Sequence, residues 1–183
     1  DMMGAVGVAV GDIDGDGHPD IVGVGEDNNR IMWYRNNGLS NPSFEPHVIR
    51  DGPPPPANLD YAKAVTIADV DGDGDLDVPF VSEQQNQVGW YENLGRGAGW
   101  AEHVLASDAL HAKAVVAGDF DEDGDVDLVS AAGESGAIVV YPTADSSRNG
   151  EWDLDGTTDL VFFDDMMKIL ADQYCIDPSR VLG

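Results

Sequence analysis

Asp69 to Asp77 reads DVDGDGDLD, and the same formula, DxDxDGxxD, occurs twice more: DIDGDGHPD from Asp12 to Asp20 and DFDEDGDVD from Asp119 to Asp127. Carboxylates at positions 1, 3, 5 and 9, with glycine at position 6, are what a short loop needs to wrap oxygen ligands round one hard cation, Ca²⁺ above all. The ligands this spacing predicts are Asp12, Asp14, Asp16 and Asp20; Asp69, Asp71, Asp73 and Asp77; and Asp119, Asp121, Asp123 and Asp127. The backbone carbonyls of His18, Asp75 and Asp125 would complete each shell, giving about three ions, one per loop. Gly17, Gly74 and Gly124 permit the sharp turn that returns the later ligands to the ion. An EF-hand would carry Glu at position 12, where this chain has Gly23, Phe80 and Ser130. An all-oxygen shell also disfavours zinc and copper.

The loops punctuate a longer repeat. Their first aspartates, Asp12, Asp69 and Asp119, stand 57 and 50 residues apart, a spacing characteristic of repeat architectures. Before the loops come GAVGVAVGD, YAKAVTIAD and HAKAVVAGD, and after them DIVGVGE, DVPFVSE and DLVSAAGE, then RIMWYRN, QVGWYEN and AIVVYPT. Small and β-branched residues around Val8, Val65 and Val115 suit a tightly packed inner strand. Second strands are predicted at Ile21 to Val24, Val78 to Val81 and Leu128 to Ala131, and third strands around Trp33 and Tyr34, Trp90 and Tyr91, and Val140 and Tyr141. FEPHVI, Phe44 to Ile49, and WAEHVL, Trp100 to Leu105, supply a fourth. Four short strands per unit make a propeller-type blade. The fold class expected is mainly β: three four-stranded blades over 1–143, as an incomplete propeller or repeat array, plus a C-terminal helix.

The composition narrows the function. The formal net charge of −26 comes from 35 acidic against 9 basic residues, and 15 of the acids lie in the three loops. Nucleic acid and anionic membranes would be repelled, so cations are the natural partners. Within one loop, carboxylates about 5 Å apart repel by roughly 3 kcal/mol per pair at an effective dielectric of about 20. A divalent ion reverses that sign. The 42% apolar content, arranged in short β-rich runs, argues for a folded domain over an acidic disordered chain. Cys175 is the only cysteine, so no intrachain disulfide forms and calcium would be the staple. There is no run of 18 apolar residues and no signal peptide or initiator Met at Asp1, which suggests a processed chain or a fragment. Asn41 precedes proline and makes no glycosylation sequon.

Other residues read as structural. Trp33 and Trp90 could stack on a sugar, but their place in repeated strands assigns them to the core between blades. His47 and His103 recur at matching strand positions, which suggests packing. Asn28, Asn29, Asn36, Asn37 and Asn93 read as turn residues. GPPPPAN, Gly52 to Asn58, lacks ladder donors and reads as an extended connection.

The loops, the DIV, DVP and DLV strands and the WYRN and WYEN strands resemble the FG-GAP-like or VCBS repeats of extracellular β-propellers, including the calcium blades of integrin α-subunits. The resemblance covers about residues 4 to 142. It implies one Ca²⁺ between the first two strands of each blade, an extracellular location and a role in adhesion, surface architecture or carbohydrate-active enzymes. A closed ring of this kind has about seven blades, so three units are expected to belong to a longer protein or to complete themselves against another copy. The partners expected are calcium, a protein or carbohydrate at the extracellular surface, and further copies pairing at open blade edges. No nucleic acid and no membrane span are expected.

Residues 144–158 read as a linker, or as a degenerate fourth calcium loop with Glu151, Asp153, Asp155 and Asp159 in the ligand positions. From Asp159 apolar residues at helical spacing (Phe163, Met166, Met167, Leu170 and Tyr174) predict a helix. FFDDMMKILADQYCIDPSRV resembles the segment of feruloyl-esterase and polyhydroxybutyrate-depolymerase hydrolases just before their nucleophile elbow. The 159–183 segment could therefore open a hydrolase domain, but it contains no GxSxG. The chain as it stands is expected to be non-enzymatic, a scaffold for structure, adhesion or assembly. The alternatives are the front part of a secreted serine esterase and a subunit of an extracellular filament.

Overall fold

The computed structural model describes residues 4–25, 30–51, 62–109, 111–120, 124–132 and 138–141. Within them the chain forms eleven strands in three antiparallel sheets. The first sheet runs in chain order through β1 (Ala5–Gly11), β2 (Asp20–Gly25), β3 (Arg30–Asn36) and β4 (Phe44–Arg50). The second repeats it with β5 (Ala62–Val65), β6 (Val78–Ser82), β7 (Gln87–Asn93) and β8 (Trp100–Ala106). The third holds β9 (Ala112–Gly118), β10 (Asp127–Ala132) and β11 (Ile138–Tyr141). The all-β, blade-type reading is confirmed. The third blade has three strands among the described residues, not four. The expected helix from Asp159, the 144–158 segment and the proline run at 52–58 lie outside the described residues.

The repeat extends to irregularities of the backbone. The ladder slips between Ile31 and Met32 in β3 and between Val88 and Gly89 in β7, which are matching positions. It slips again at Ala5/Gly7 and Ala62/Ala64, the starts of the two inner strands. β5 is short, but Thr66 donates to the Pro79 carbonyl at 3.0 Å and Ala68 bridges Asp77, so the inner strand stays paired up to the acidic loop.

Apolar residues of neighbouring blades face one another. Ile13, Val22, Val24, Ile31 and Trp33 of blade 1 form one core cluster with Ala62, Val65, Val78, Phe80 and Tyr91 of blade 2. Val81 and Val88 meet Ala112 and Val115 of blade 3, and Val70 and Trp90 meet Leu128. Burial of each large side chain contributes about 1.5–3 kcal/mol, so the contacts between blades are a substantial part of what holds the array together. The inner strands of blades 1 and 2 run close together: a Cβ on Gly7 would lie in van der Waals contact with Ala64 Cα at 3.4 Å. Gly97, at φ +72°, sits on the edge of the Trp33 ring, where a Cβ would come within 2.3 Å of it.

The tryptophans and histidines behave as the strand pattern implied. Trp33 pairs across strands with His47 and stacks on it at 4.6 Å, and Trp90 does the same with His103 at 4.5 Å. Both indoles are buried between blades. Among the described residues, no helix is long and apolar enough to cross a membrane.

Candidate metal centre

Each acidic loop leaves an inner strand and enters the second strand of its blade, and its backbone is folded by its own aspartates. The position-1 carboxylate accepts the amide of the position-6 glycine in all three loops. Asp12 Oδ2 receives Gly17 N at 2.8 Å, Asp69 Oδ2 receives Gly74 N at 3.0 Å and Asp119 Oδ2 receives Gly124 N at 3.1 Å. These glycines stand at φ +88°, +94° and +100°, a region that L side chains rarely enter. The turn therefore needs glycine for conformation, and the aspartate fixes it in place.

Position 9 does a different job. Asp20 and Asp77 are fully buried and Asp127 nearly so. Their Oδ2 atoms accept the amides of Ile13, Val70 and Phe120, the second residue of each loop, at 3.1, 2.8 and 2.8 Å. Oδ1 of Asp20 takes Asn36 N at 2.7 Å, and Oδ1 of Asp77 takes Asn93 N at 2.9 Å. The ninth aspartate thus ties the start of the loop to the end of the third strand. Burial pushes the Asp77 carboxyl up to about 7, the Asn93 and Val70 amides work against that, and the charges of Asp71 and Asp73 add to it.

Oxygen atoms of Asp12, Asp14 and Asp16 lie within 4.8 Å of one another in the first loop, and those of Asp69, Asp71 and Asp77 in the second. Asp20 is not part of the first cluster, nor Asp73 of the second. Each oxygen with one amide partner keeps a second lone pair for a cation. In the third loop Asp121 and Asp123 lie outside the described residues, so only its frame, Asp119 and Asp127, can be compared. Asp75 is half-buried, and the Asp75 amide donates to Asp73 Oδ1 at 2.8 Å. Asp125 is half-buried at the corresponding point of loop three. His18 N donates to Asp16 Oδ1 at 2.9 Å.

The residues fit a hard cation. Asp69 Oδ1 is buried and has no hydrogen-bond partner, a costly position for a charged oxygen unless something positive meets it. Desolvation pushes the Asp71 carboxyl up, the Asp73 amide partly offsets that, and the neighbouring charges of Asp73, Glu92 and Asp69 push it further. A dense, all-carboxylate donor set of this kind suits Ca²⁺.

The first loop is already partly compensated. Arg35 pairs through Nε with Asp14 Oδ2 and through Nη2 with Asp16 Oδ2 at 3.4 Å, and His18 Nδ1 lies 3.0 Å from Asp16 Oδ1. Desolvation opposes the ionised form of Asp16, but the His18 amide and ring and the Arg35 charge hold its carboxyl below the usual value. Beside the pair lies a cleft of about 390 Å³ whose walls include Trp33, His47 and Arg96.

Asn93 is the functional residue that sequence reasoning undervalued. It is fully buried, and its Nδ2 donates to the Ile13 carbonyl of blade 1 at 3.0 Å and to the Leu76 carbonyl at 3.2 Å. Its Oδ1 accepts Gly97 N at 2.7 Å. Its counterpart Asn36 donates to the Pro19 carbonyl at 3.0 Å and accepts Gly38 N at 3.1 Å. The repeated WYxN ending signalled the pair, but only as a turn.

A model of the FG-GAP-like repeat matches residues 12–79 and again 69–130. The two matches share the second loop and together run over more than half of the chain. They stop short of 159–183, so they lend no support to the esterase likeness. A comparison with curated proteins found no match. With three sheets of one design and their acidic loops in register, the chain belongs to the FG-GAP-like repeat family.

Proposed function

We propose that this chain is a calcium-stapled, non-enzymatic module of an extracellular protein, acting as a scaffold for structure, adhesion or assembly. The observation that carries it is the second loop, where Asp69, Asp71 and Asp77 converge and Asp69 Oδ1 is buried without a partner. FG-GAP-like repeats are typical of extracellular proteins, where millimolar Ca²⁺ would fill sites of modest affinity. The carboxylates are taken up in holding loop backbone, which favours a structural role over a catalytic one. Binding that favours the folded state adds about 1.4 kcal/mol for a site at ten times its Kd. That corresponds to a rise of several degrees in Tm. Thermal melts with Ca²⁺ and with chelator test this, and identical melts would remove the calcium reading.

Assembly with another apolar blade face is favoured by a specific observation. Val8 is 68% exposed, while the corresponding Val65 and Val115 are 8% and 6% exposed because each packs against the blade before it. Val6 and Val10, beside Val8, are 43% and 64% exposed. The occupant we favour is a further blade of the same kind, from a longer chain or a second copy. Sedimentation with and without Ca²⁺ tests the second-copy case, and a strict monomer in both would rule it out.

A further inference from the structure

The first two loops share a backbone design and differ in charge. Arg35 stands one residue before Asn36 at the end of β3, and its guanidinium lies on Asp14 and Asp16, positions 3 and 5 of the first loop. The matching residue of β7 is Glu92, held by His103 Nε2 at 2.6 Å. Arg96 lines the same cleft as Arg35, Asp14 and Asp16. Position 7 is His18 in the first loop, close to Asp16, and Asp75 in the second. Asp14 and Asp16 therefore share their cleft with two guanidinium groups in loop one, and His18 lies on Asp16, whereas in loop two the nearby side chain at the matching position, Glu92, is acidic and acts on Asp71.

We propose that Arg35 is a built-in competitor for the cation of the first loop, so that calcium fills the second loop before the first. The inference rests on the calcium reading above and concerns how that site is regulated. A guanidinium on the position-3 and position-5 oxygens repels an arriving divalent ion at short range and must share or release those oxygens. Glu92, at the matching position, brings negative charge near Asp71 where Arg35 brings positive charge to the first loop, and it is itself paired with His103. Arg35 is 45% exposed, so its replacement leaves the buried core untouched.

The position-6 glycine amides give one reporter per loop, since Gly17 N and Gly74 N each donate to the position-1 aspartate. Calcium titration of the full chain followed by amide NMR is expected to move Gly74 at a calcium concentration about tenfold or more below that which moves Gly17. Arg35→Gln should bring the Gly17 midpoint down about tenfold while leaving Gly74 in place, and Arg35→Lys should largely retain the native Gly17 midpoint. Glu92→Arg should raise the Gly74 midpoint. If both amides move together and Arg35→Gln changes nothing, the competitor role is overturned and the calcium reading stands. If neither amide moves at millimolar calcium, both are overturned.

Discussion

Blades 1 and 2 are built from nearly the same sequence and end in different situations. Each has four strands, a DxDxDGxxD loop, a Trp–His stack and a WYxN strand. In blade 1 the loop is met by Arg35, the inner-strand valine is open to solvent, and Asn36 bonds within its own blade. In blade 2 the charge near Asp71 is that of Glu92, which pairs with His103, the valine is buried, and the asparagine reaches back to the Ile13 carbonyl. The difference teaches that a repeat unit specifies its own sheet, while its neighbours decide what each repeated position contributes.

The comparison can be broken most forcefully at the ninth aspartate. Asp77→Ala should cost about 2–4 kcal/mol in denaturant unfolding, because the buried amides of Val70 and Asn93 lose their acceptors. Asp20→Ala should cost somewhat less, since Asn36 is half-buried and can reach water. A negligible loss for Asp77→Ala would mean that the strut is not holding the loop.

Next in size is the pair of inner-strand valines. Val65→Ala should lose about 1–3 kcal/mol through a cavity between blades, and Val8→Ala, at an exposed site, within about 0.5 kcal/mol. Equal losses would show that something covers the face of β1 in solution. Asn93→Ala should cost about 1–3 kcal/mol and Asn36→Ala about 1, because only the former leaves a carbonyl of another blade unpaired. Urea midpoints of the two variants would resolve the difference.

The smallest effect concerns the junction of blades 2 and 3, where Glu83 lies 3.2 Å from Lys63 and 3.6 Å from Lys113. Desolvation opposes the ionised carboxyl, but the two lysines outweigh it and hold Glu83 below its ordinary value of 4.5. A depressed carboxyl stabilises the fold above pH 4.5 and loses that contribution as pH falls through its lower folded value. Glu83→Gln should therefore cost about 0.2–1 kcal/mol at pH 7 and progressively less as the pH is lowered below 4.5, read from a series of paired melts. A cost that does not change with pH across that series would point to packing instead.

Most of the blade architecture was legible along the chain. Strand alternation is local, so β2, β4, β6 and β8 fall within a residue or so of their predicted limits. The loops were legible because ligand spacing is a property of consecutive residues. The signal faded wherever a residue's role depends on what approaches from another blade. Asn93 read as a turn residue because its partner, Ile13, is 80 positions away. Asp20 and Asp77 read only as ligands because the amides of Asn36 and Asn93 lie 16 residues on.

The sequence alone determined that this protein is a β repeat with three acidic loops, since glycine at position 6 and alternating apolar residues act on the chain nearest to them. Tertiary structure alone decided that the ninth aspartate is a buried strut, that Arg35 meets the first loop while Glu92 acts on Asp71 of the second, and that Val8 is open where Val65 is sealed. Charge and burial act through space, and a repeated residue such as Val8 or Val65 can be given opposite surroundings by the blade beside it.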